Sequence, residues 1–430
     1  MLSVISLPPS QSPSLRCRVP AGSSKQSHRL LSSLSAVPDT SSASRLLSKF
    51  VASSSKSTAL QALSFHISHS SMFSLHLYQS LSECPWFQWN SKLTASLISF
   101  LEEHHRPLDA LNLISQSSSV LRSPRDLIFF YCDLIDAFSD QQSKFSALQT
   151  YAMLKEIPFS GRRPYDTMVR GLCLMGIPAD AQKFLHEMRL SGFTPSPFEF
   201  RLLFQAYGRS AAFGDMIRVL ELLQENGISL DTICANIVLS CYEDAGKFSQ
   251  MVSWIHKMRE SDIEFSIRTY NSVLNSYPTL ITLINDVRFL PLSIDALVRK
   301  MEDESGYLDE PLLLGEPTKL PLLDVIVEWS DSEVKLDLHG LDVTTAYVIL
   351  LQWMEAVGSH LARGMKEPLE FSIICGSGKH SRMRGESPVK KLISMMMFQL
   401  KSLLKIDRKN IGKFVAKGKP VRDWLCRGVF

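Results

Sequence analysis

A period of about 35 residues, running from residue 128 to residue 271, constrains this chain more than any other feature of its sequence. Tyr131, Tyr165, Phe200 and Tyr270 stand 34, 35 and 70 residues apart, with Ala235 at the intervening step. Leu154, Met188, Leu223 and Met258 follow at 34, 35 and 35, and Tyr151, Leu185, Leu220 and Ile255 keep the same steps. Three apolar columns that share one period indicate a repeat architecture, in which each unit buries its apolar face only against its neighbours.

Within one period, Asp166 to Met175 and Ala179 to Leu190 each carry apolar residues at helical spacing. Gly176-Ile177-Pro178 separates the two segments, and Gly192 and Pro195 close them. Each unit therefore reads as a helix hairpin, and the units stack into an all-α, right-handed solenoid whose periodic Leu, Met, Tyr and Phe form the core. Four units are recognisable, at 128–161, 162–196, 197–231 and 232–266, with a partial fifth from 267 to 277. Residues 83–127 read as a helical lead-in, with a degenerate unit over Trp89 to Ser123.

The string Tyr-Asp-Thr-Met-Val-Arg-Gly-Leu-Cys (165–173), followed by Ala181, Phe184-Leu185, Met188 and Gly192-Phe193-Thr194-Pro195-Ser196, resembles a pentatricopeptide repeat of the P class. The resemblance implies single-stranded RNA as partner, each unit reading one base with its fifth and last residues. Carried over, the pairs are Cys132 with Gly161, Asp166 with Ser196, Arg201 with Asp231, and Asn236 with Ser266. Asn271 is the fifth residue of the partial unit. Asn236 with Ser266 is the one regular combination and implies a pyrimidine, because a short amide can hydrogen-bond the Watson-Crick edge of an unstacked base. Cys132 and Arg201 depart from the family's usual Asn, Thr or Ser, so for them packing competes with base reading.

After a connector rich in Leu and Pro (278–332) the texture changes. Val334 to Gly340 alternates like a strand, Thr344 to Val357 is an amphipathic helix, Leu369 to Ile374 a short apolar strand, Ser387 to Leu404 a second helix, and Ile411 to Ala416 a last strand. That order predicts a small two-layer α/β domain with its chemistry on loops at the strand ends.

Leu-Asp-Leu-His-Gly-Leu (336–341) and Cys-Gly-Ser-Gly-Lys-His-Ser (375–381) together resemble the Smr (small MutS-related) domain, over residues 333–427. That resemblance implies a module found in DNA and RNA nucleases. Cutting RNA needs an acid/base group, and His339 is the candidate, imidazole being the side chain that exchanges protons near neutrality. Asp337, two residues earlier on the same strand face, is placed to orient it or to hold a divalent ion such as Mg²⁺. Gly376 and Gly378 let backbone N–H groups approach an anion, and Lys379, His380 and Arg382 supply phosphate contacts. The competing reading makes Asp337 a turn cap and His339 a structural histidine, and the two stand level. A nucleotide-binding P-loop is excluded, because His380 follows Gly378-Lys379 and Ile373 stands where the first Gly belongs.

The net charge of +3 hides a strong asymmetry. Residues 1–82 carry +6 and residues 376–430 carry +11, which leaves −14 on residues 83–375. A basic tail points to a polyanionic partner, whereas the acidic body predicts modest RNA affinity for the solenoid itself. The eight cysteines show neither a CxxC pair nor zinc spacing, so no metal site is expected. Without a run of about 18 apolar residues no membrane span is expected either. Residues 1–60 hold 19 Ser and seven Lys/Arg against one acid, the composition of a disordered transit peptide, with plastid favoured over mitochondrion. Three functional readings stay open: an organellar RNA-processing endonuclease, a non-catalytic binder that stabilises transcripts or assists translation, and a helical scaffold for proteins. DNA also remains a substrate for the α/β domain.

Overall fold

The computed structural model describes residues 25–37, 39–158, 161–285, 290, 293–304, 326–364, 366–376 and 387–425. The chain divides into two compact units, Met1–Ala206 and Tyr207–Phe430.

The first unit is a succession of helix hairpins. They are α1 (Lys25–Ser35) with α2 (Thr40–Ser53), α3 (Lys56–Ser68) with α4 (Ser74–Ser82), α5 (Ser91–Glu103) with α6 (Pro107–Val120), α7 (Pro124–Asp140) with α8 (Lys144–Lys155), and α9 (Arg163–Leu174) with α10 (Pro178–Leu190). First helices pack on one another along the row, α1 on α3, α3 on α5, α5 on α7 and α7 on α9. Proline at the first or second helical position opens α6, α7, α9 and α10, where its missing N–H breaks no bond. The turn out of α9 closes on Gly176 (φ +71°), a left-handed position that costs glycine nothing. Gln142 and His105 hold the same place after α7 and α5 with φ of +62° and +59°.

Helices begin earlier than the composition suggested. Among residues 25–82 four packed helices form where a disordered stretch to residue 60 was expected, and residues 1–24 and Pro38 of that stretch lie outside the described residues. Serine richness concealed apolar residues at helical spacing: Leu30 with Leu34, and Leu47 with Val51, are all buried.

The helix α11 (Pro197–Arg209) leads into the second unit, which holds α12 (Phe213–Glu225), α13 (Thr232–Asp244), α14 (Phe248–Glu260) and α15 (Ile267–Asn275). Asp231 caps α13, and Ser266 with Thr269 forms a reciprocal capping box on α15. All three periodic columns are core: no member, from Tyr131 to Tyr270, is more than 6% exposed.

The expected connector contains two further helices, α16 (Pro278–Asn285) and α17 (Ile294–Glu304), and a strand β1 (Val327–Trp329). The domain continues with β2 (Glu333–Asp337), α18 (Val343–Ala362), β3 (Glu370–Ile374), α19 (Pro388–Gln399), β4 (Lys405–Ile406), β5 (Lys413–Lys417) and α20 (Gly418–Leu425). The sheet order is β1-β2-β3-β5-β4, with β2 and β3 parallel and every other pair antiparallel. Val334, Leu336, Phe371, Ile373 and Phe414 are buried, as are Tyr347 and Trp353 on α18. A single parallel pair joined by a helix brings the ends of β2 and β3 together, with Asp337 opposite Ile374. That pairing brings His339 and Gly376, which follow the two strands, close to each other.

Candidate nucleic-acid interface

The fifth residue of each repeat follows a buried aromatic or Ala by one position, in the first turn and a half of the first helix for Asp166, Arg201, Asn236 and Asn271 and midway along α7 for Cys132. In the first unit Cys132 is fully buried, and burial raises its thiol pKa, so it presents packing surface rather than a polar edge. Gly161 offers no side chain to pair with it.

Asp166 and Ser196 are drawn together by Arg162. The Arg162 Nε lies 3.1 Å from both Asp166 carboxylate oxygens, and its Nη2 donates to Ser196 Oγ at 3.3 Å and to Glu199 Oε1 at 2.8 Å. The Glu199 side chain is 1% exposed and accepts two further bonds, from Ser196 N at 2.6 Å and Ser196 Oγ at 2.8 Å. Desolvation, and the nearby Glu199, raise the Asp166 pKa against the pull of Arg162.

Beside this network lies a cleft of about 300 Å³ lined by Lys92, Asp133, Asp136, Arg163, Asp166, Thr167, Arg170 and Phe198. Its charges are paired: Arg170 holds Asp136 at 2.5 Å, and Asp133 accepts from Ser91 at 2.5 Å with Arg163 at 3.8 Å. Three carboxylates and three cations line the cleft, so its own charges balance.

Arg201 is half-buried on α11, and Asp231 uses its carboxylate to cap α13 by accepting from Cys234 N at 2.7 Å. Asn236 is 4% exposed. Its Nδ2 donates to Ser266 Oγ at 2.9 Å, and its Oδ1 accepts from Thr269 Oγ1 at 2.7 Å. The one regular base-reading pair is thus hydrogen-bonded to itself, and a base must displace that bond in order to be read. Asn271 is engaged elsewhere in the second unit: its Nδ2 donates to Gly340 O and its Oδ1 accepts from Asp342 N, both at 3.0 Å. Both ends of the Asn271 amide are occupied, so here too a base would have to displace existing bonds in order to be read.

A fourth column escaped the sequence reading. Phe129, Arg163, Phe198 and Ile233 follow at 34, 35 and 35 residues, each two positions before a core aromatic or Ala. Phe198 is 46% exposed and Ile233 54%, while the Arg163 guanidinium sits 4.2 Å over the Phe129 ring. Flat apolar groups and guanidinium planes are surfaces on which bases stack. The same period would have revealed them had exposed positions been tracked beside buried ones.

In the α/β domain Asp337 is half-buried and His339 exposed. Asp337 Oδ1 accepts the His339 backbone N–H at 2.9 Å, so this carboxylate orders the turn rather than reaching the ring. Leu338 N donates to Ile374 O at 2.8 Å and extends the parallel pairing into the loop. Gly376 (φ +73°) lies beneath the imidazole, and a Cβ there would stand 3.6 Å from His339 Cδ2. Cys375 is buried and donates to Gly412 O at 3.3 Å, and burial pushes its thiol up to about 11, which removes it as a nucleophile. Gly378, Lys379, His380 and Arg382 lie outside the described residues. Among the described residues no group of three His, Cys, Asp or Glu is arranged to hold a metal, and no helix is long and apolar enough to cross a membrane.

A family model described as PPR repeat matches residues 163–193 and 233–263. Pentatricopeptide repeat-containing protein At2g17033 of Arabidopsis thaliana is 40% identical over 420 residues, spanning 94% of this chain and 82% of that protein. Putative pentatricopeptide repeat-containing protein At5g36300 of the same plant is 22% identical over 205 residues, which span 44% of this chain and 62% of that one. Among solved structures, PPR10 in complex with an 18-nt psaJ RNA element is 15% identical with a TM-score of 0.22, over 76% of this chain and 58% of its own. PPR10 from maize is 14% identical with a TM-score of 0.23, over 84% and 59%. With 40% identity across most of both chains to a curated relative, and its own repeat columns forming the core, the chain belongs to the pentatricopeptide repeat family.

Proposed function

We propose that this protein binds single-stranded RNA along its P-class repeats and brings it to a C-terminal Smr-type module that cleaves the RNA phosphodiester backbone during organellar, most simply plastid, RNA processing. The observation that carries this reading is the column Phe129, Arg163, Phe198 and Ile233, in which Arg163, Phe198 and Ile233 are exposed and Phe129 is half-buried beneath Arg163, one such position in each repeat.

On this reading the stacking column provides most of the affinity and Asn236 with Ser266 provides a single specific contact. The engaged Asp166 and Ser196 contribute little, so sequence selectivity is low. His339, exposed at the end of β2 beside Gly376, transfers the proton, and the basic chain after residue 376 neutralises phosphate. Asp337 holds the turn that presents His339.

The test is incubation of the full chain with end-labelled single-stranded RNA and matched DNA, with and without Mg²⁺, beside His339→Ala and Asp337→Ala. Discrete RNA products that disappear in both variants while filter binding persists support the nuclease. RNA that is bound and left intact replaces it with the second reading, a non-catalytic clamp for transcript stabilisation or translation, which the backbone role of Asp337 favours.

A further inference from the structure

The turn from β2 into α18 is held from outside the α/β sheet. Two amides one helical turn apart on α15, and so on one face of it, grip three alternate residues of the turn. Asn271 donates to Gly340 O and accepts from Asp342 N, both at 3.0 Å. Asn275 donates to Asp342 Oδ2 at 2.7 Å and accepts from Thr344 Oγ1.

These bonds replace the turn's own. Asp342 is the N-cap of α18, where a carboxylate ordinarily accepts from the first turn of its helix, yet it makes no such bond and is turned to Asn275 instead. A carboxamide carries a donor and an acceptor on one planar fork, so Asn271 completes a backbone C=O and a backbone N–H together, as a neighbouring strand would. Gly340, at φ +84°, takes a left-handed turn conformation that glycine adopts without strain, and a Cβ there would make only an ordinary contact of 4.0 Å with Ile267 Cγ2. Asp337 and His339 sit immediately before the gripped segment and are joined to each other through the backbone.

We propose that Asn271 and Asn275 are positioning residues, which fix the Gly340–Thr344 turn and with it the His339 end of β2, so that the last repeat sets the geometry of the α/β module's reactive loop. The functional side of this proposal rests on the reading of that strand end as the nucleic-acid site; the structural side does not. The fifth position of the last repeat here makes its hydrogen bonds with the module.

The test is amide hydrogen exchange on the full chain, comparing wild type with Asn271→Ala, Asn275→Ala and Asn271→Asp. Loss of the bond to Asn271 Oδ1 speeds exchange at Asp342 by ~10-fold and loosens His339 by a few-fold, in proportion to one hydrogen bond. Exchange at Val273 and Leu274 in α15, and at Cys234–Leu239 in α13 packed against it, stays as in wild type and shows that the repeats are still folded. Asn271→Asp keeps an acceptor for the Asp342 N–H but loses the donor to Gly340 O, so protection at Asp342 falls between wild type and Asn271→Ala. Where the wild type cleaves RNA, Asn271→Ala lowers kcat with RNA affinity unchanged. Asp342 exchange equal in wild type and Asn271→Ala overturns the proposal, and so does a change at Asp342 that leaves His339 untouched. A wild-type chain that neither binds nor cuts RNA sinks the proposed function, while the exchange data still decide the positioning role.

Discussion

Replacing Arg162 by Ala removes the cation from a carboxylate that the fold has taken out of water. The Glu199 side chain is 1% exposed and loses a bond of 2.8 Å, keeping two neutral donors, Ser196 N at 2.6 Å and Ser196 Oγ at 2.8 Å. Breaking a fully buried ion pair from one side costs about 3–5 kcal/mol. Arg162 is 39% exposed, so solvent already screens the pair, and the remaining donors bring the cost to about 1.5–2.5 kcal/mol. Pairing Arg162→Ala with Glu199→Gln removes the stranded charge and leaves an acceptor for the Ser196 N–H, so the double variant recovers about half of the loss. Repeat arrays do not always unfold in one step, so the assay is exchange at the Ser196 amide, calibrated by urea melts of the same variants. A single variant within about 0.5 kcal/mol of wild type, or a double variant no better than the single, refutes the idea that this network stabilises the repeat by charge pairing.

Ala211 closes α11 at φ +54°, so Ala211→Gly stabilises the second unit by about 0.5–1 kcal/mol in thermal melts. A Cβ on Gly208 would meet Cys241 Sγ at 2.1 Å, so Gly208→Ala lowers the melting temperature, and adding Cys241→Gly returns part of it. Burial, chiefly, and the neighbouring Asp244 and Asp342, raise Glu243 to about 7, against the lowering effects of Ser272 and Arg268. Its folded pKa lies above the unfolded one, so its contribution is fully present below about 4.5 and is lost as pH rises through 7. Glu243→Gln is therefore more stable than wild type by about 1 kcal/mol at pH 8, a figure reduced for its partial exposure, and the difference closes towards pH 4.5.

The repeat core was legible because burial repeats with the period: once Tyr131, Tyr165 and Phe200 align, each must face a neighbour. The parallel β2–β3 pair was legible from alternation at Val334 to Leu338 and the helix that follows it. The edge strands β1 and β4 were not, since three and two residues are too few to show alternation. The helices of residues 25–82 were hidden by serine, which fills helix surfaces there without breaking them. In the candidate site the sequence located Asn236, Ser266 and Asn271 within their repeats, and paired the first two, but showed neither that they bond each other directly nor that Thr269 and the Gly340–Asp342 backbone are partners. Whether an amide meets a base, a serine or another segment's backbone depends on which groups the tertiary fold brings within 3 Å, and no local pattern encodes that.

The most direct test of the central claim is equilibrium binding of the full chain to a fluorescent single-stranded RNA across a salt series, with duplex RNA and a matched single-stranded DNA as competitors, beside Phe198→Ala and Ile233→Ala. RNA binding is expected to weaken with salt, to resist duplex competitor, and to fall by ~5–100-fold in Phe198→Ala, the loss that goes with one stacked base, and by a smaller factor in Ile233→Ala, which loses an apolar contact rather than a ring. Binding that is indifferent to salt and to strandedness, or variants that bind as wild type does, would contradict the assignment of the repeats as a single-stranded RNA surface.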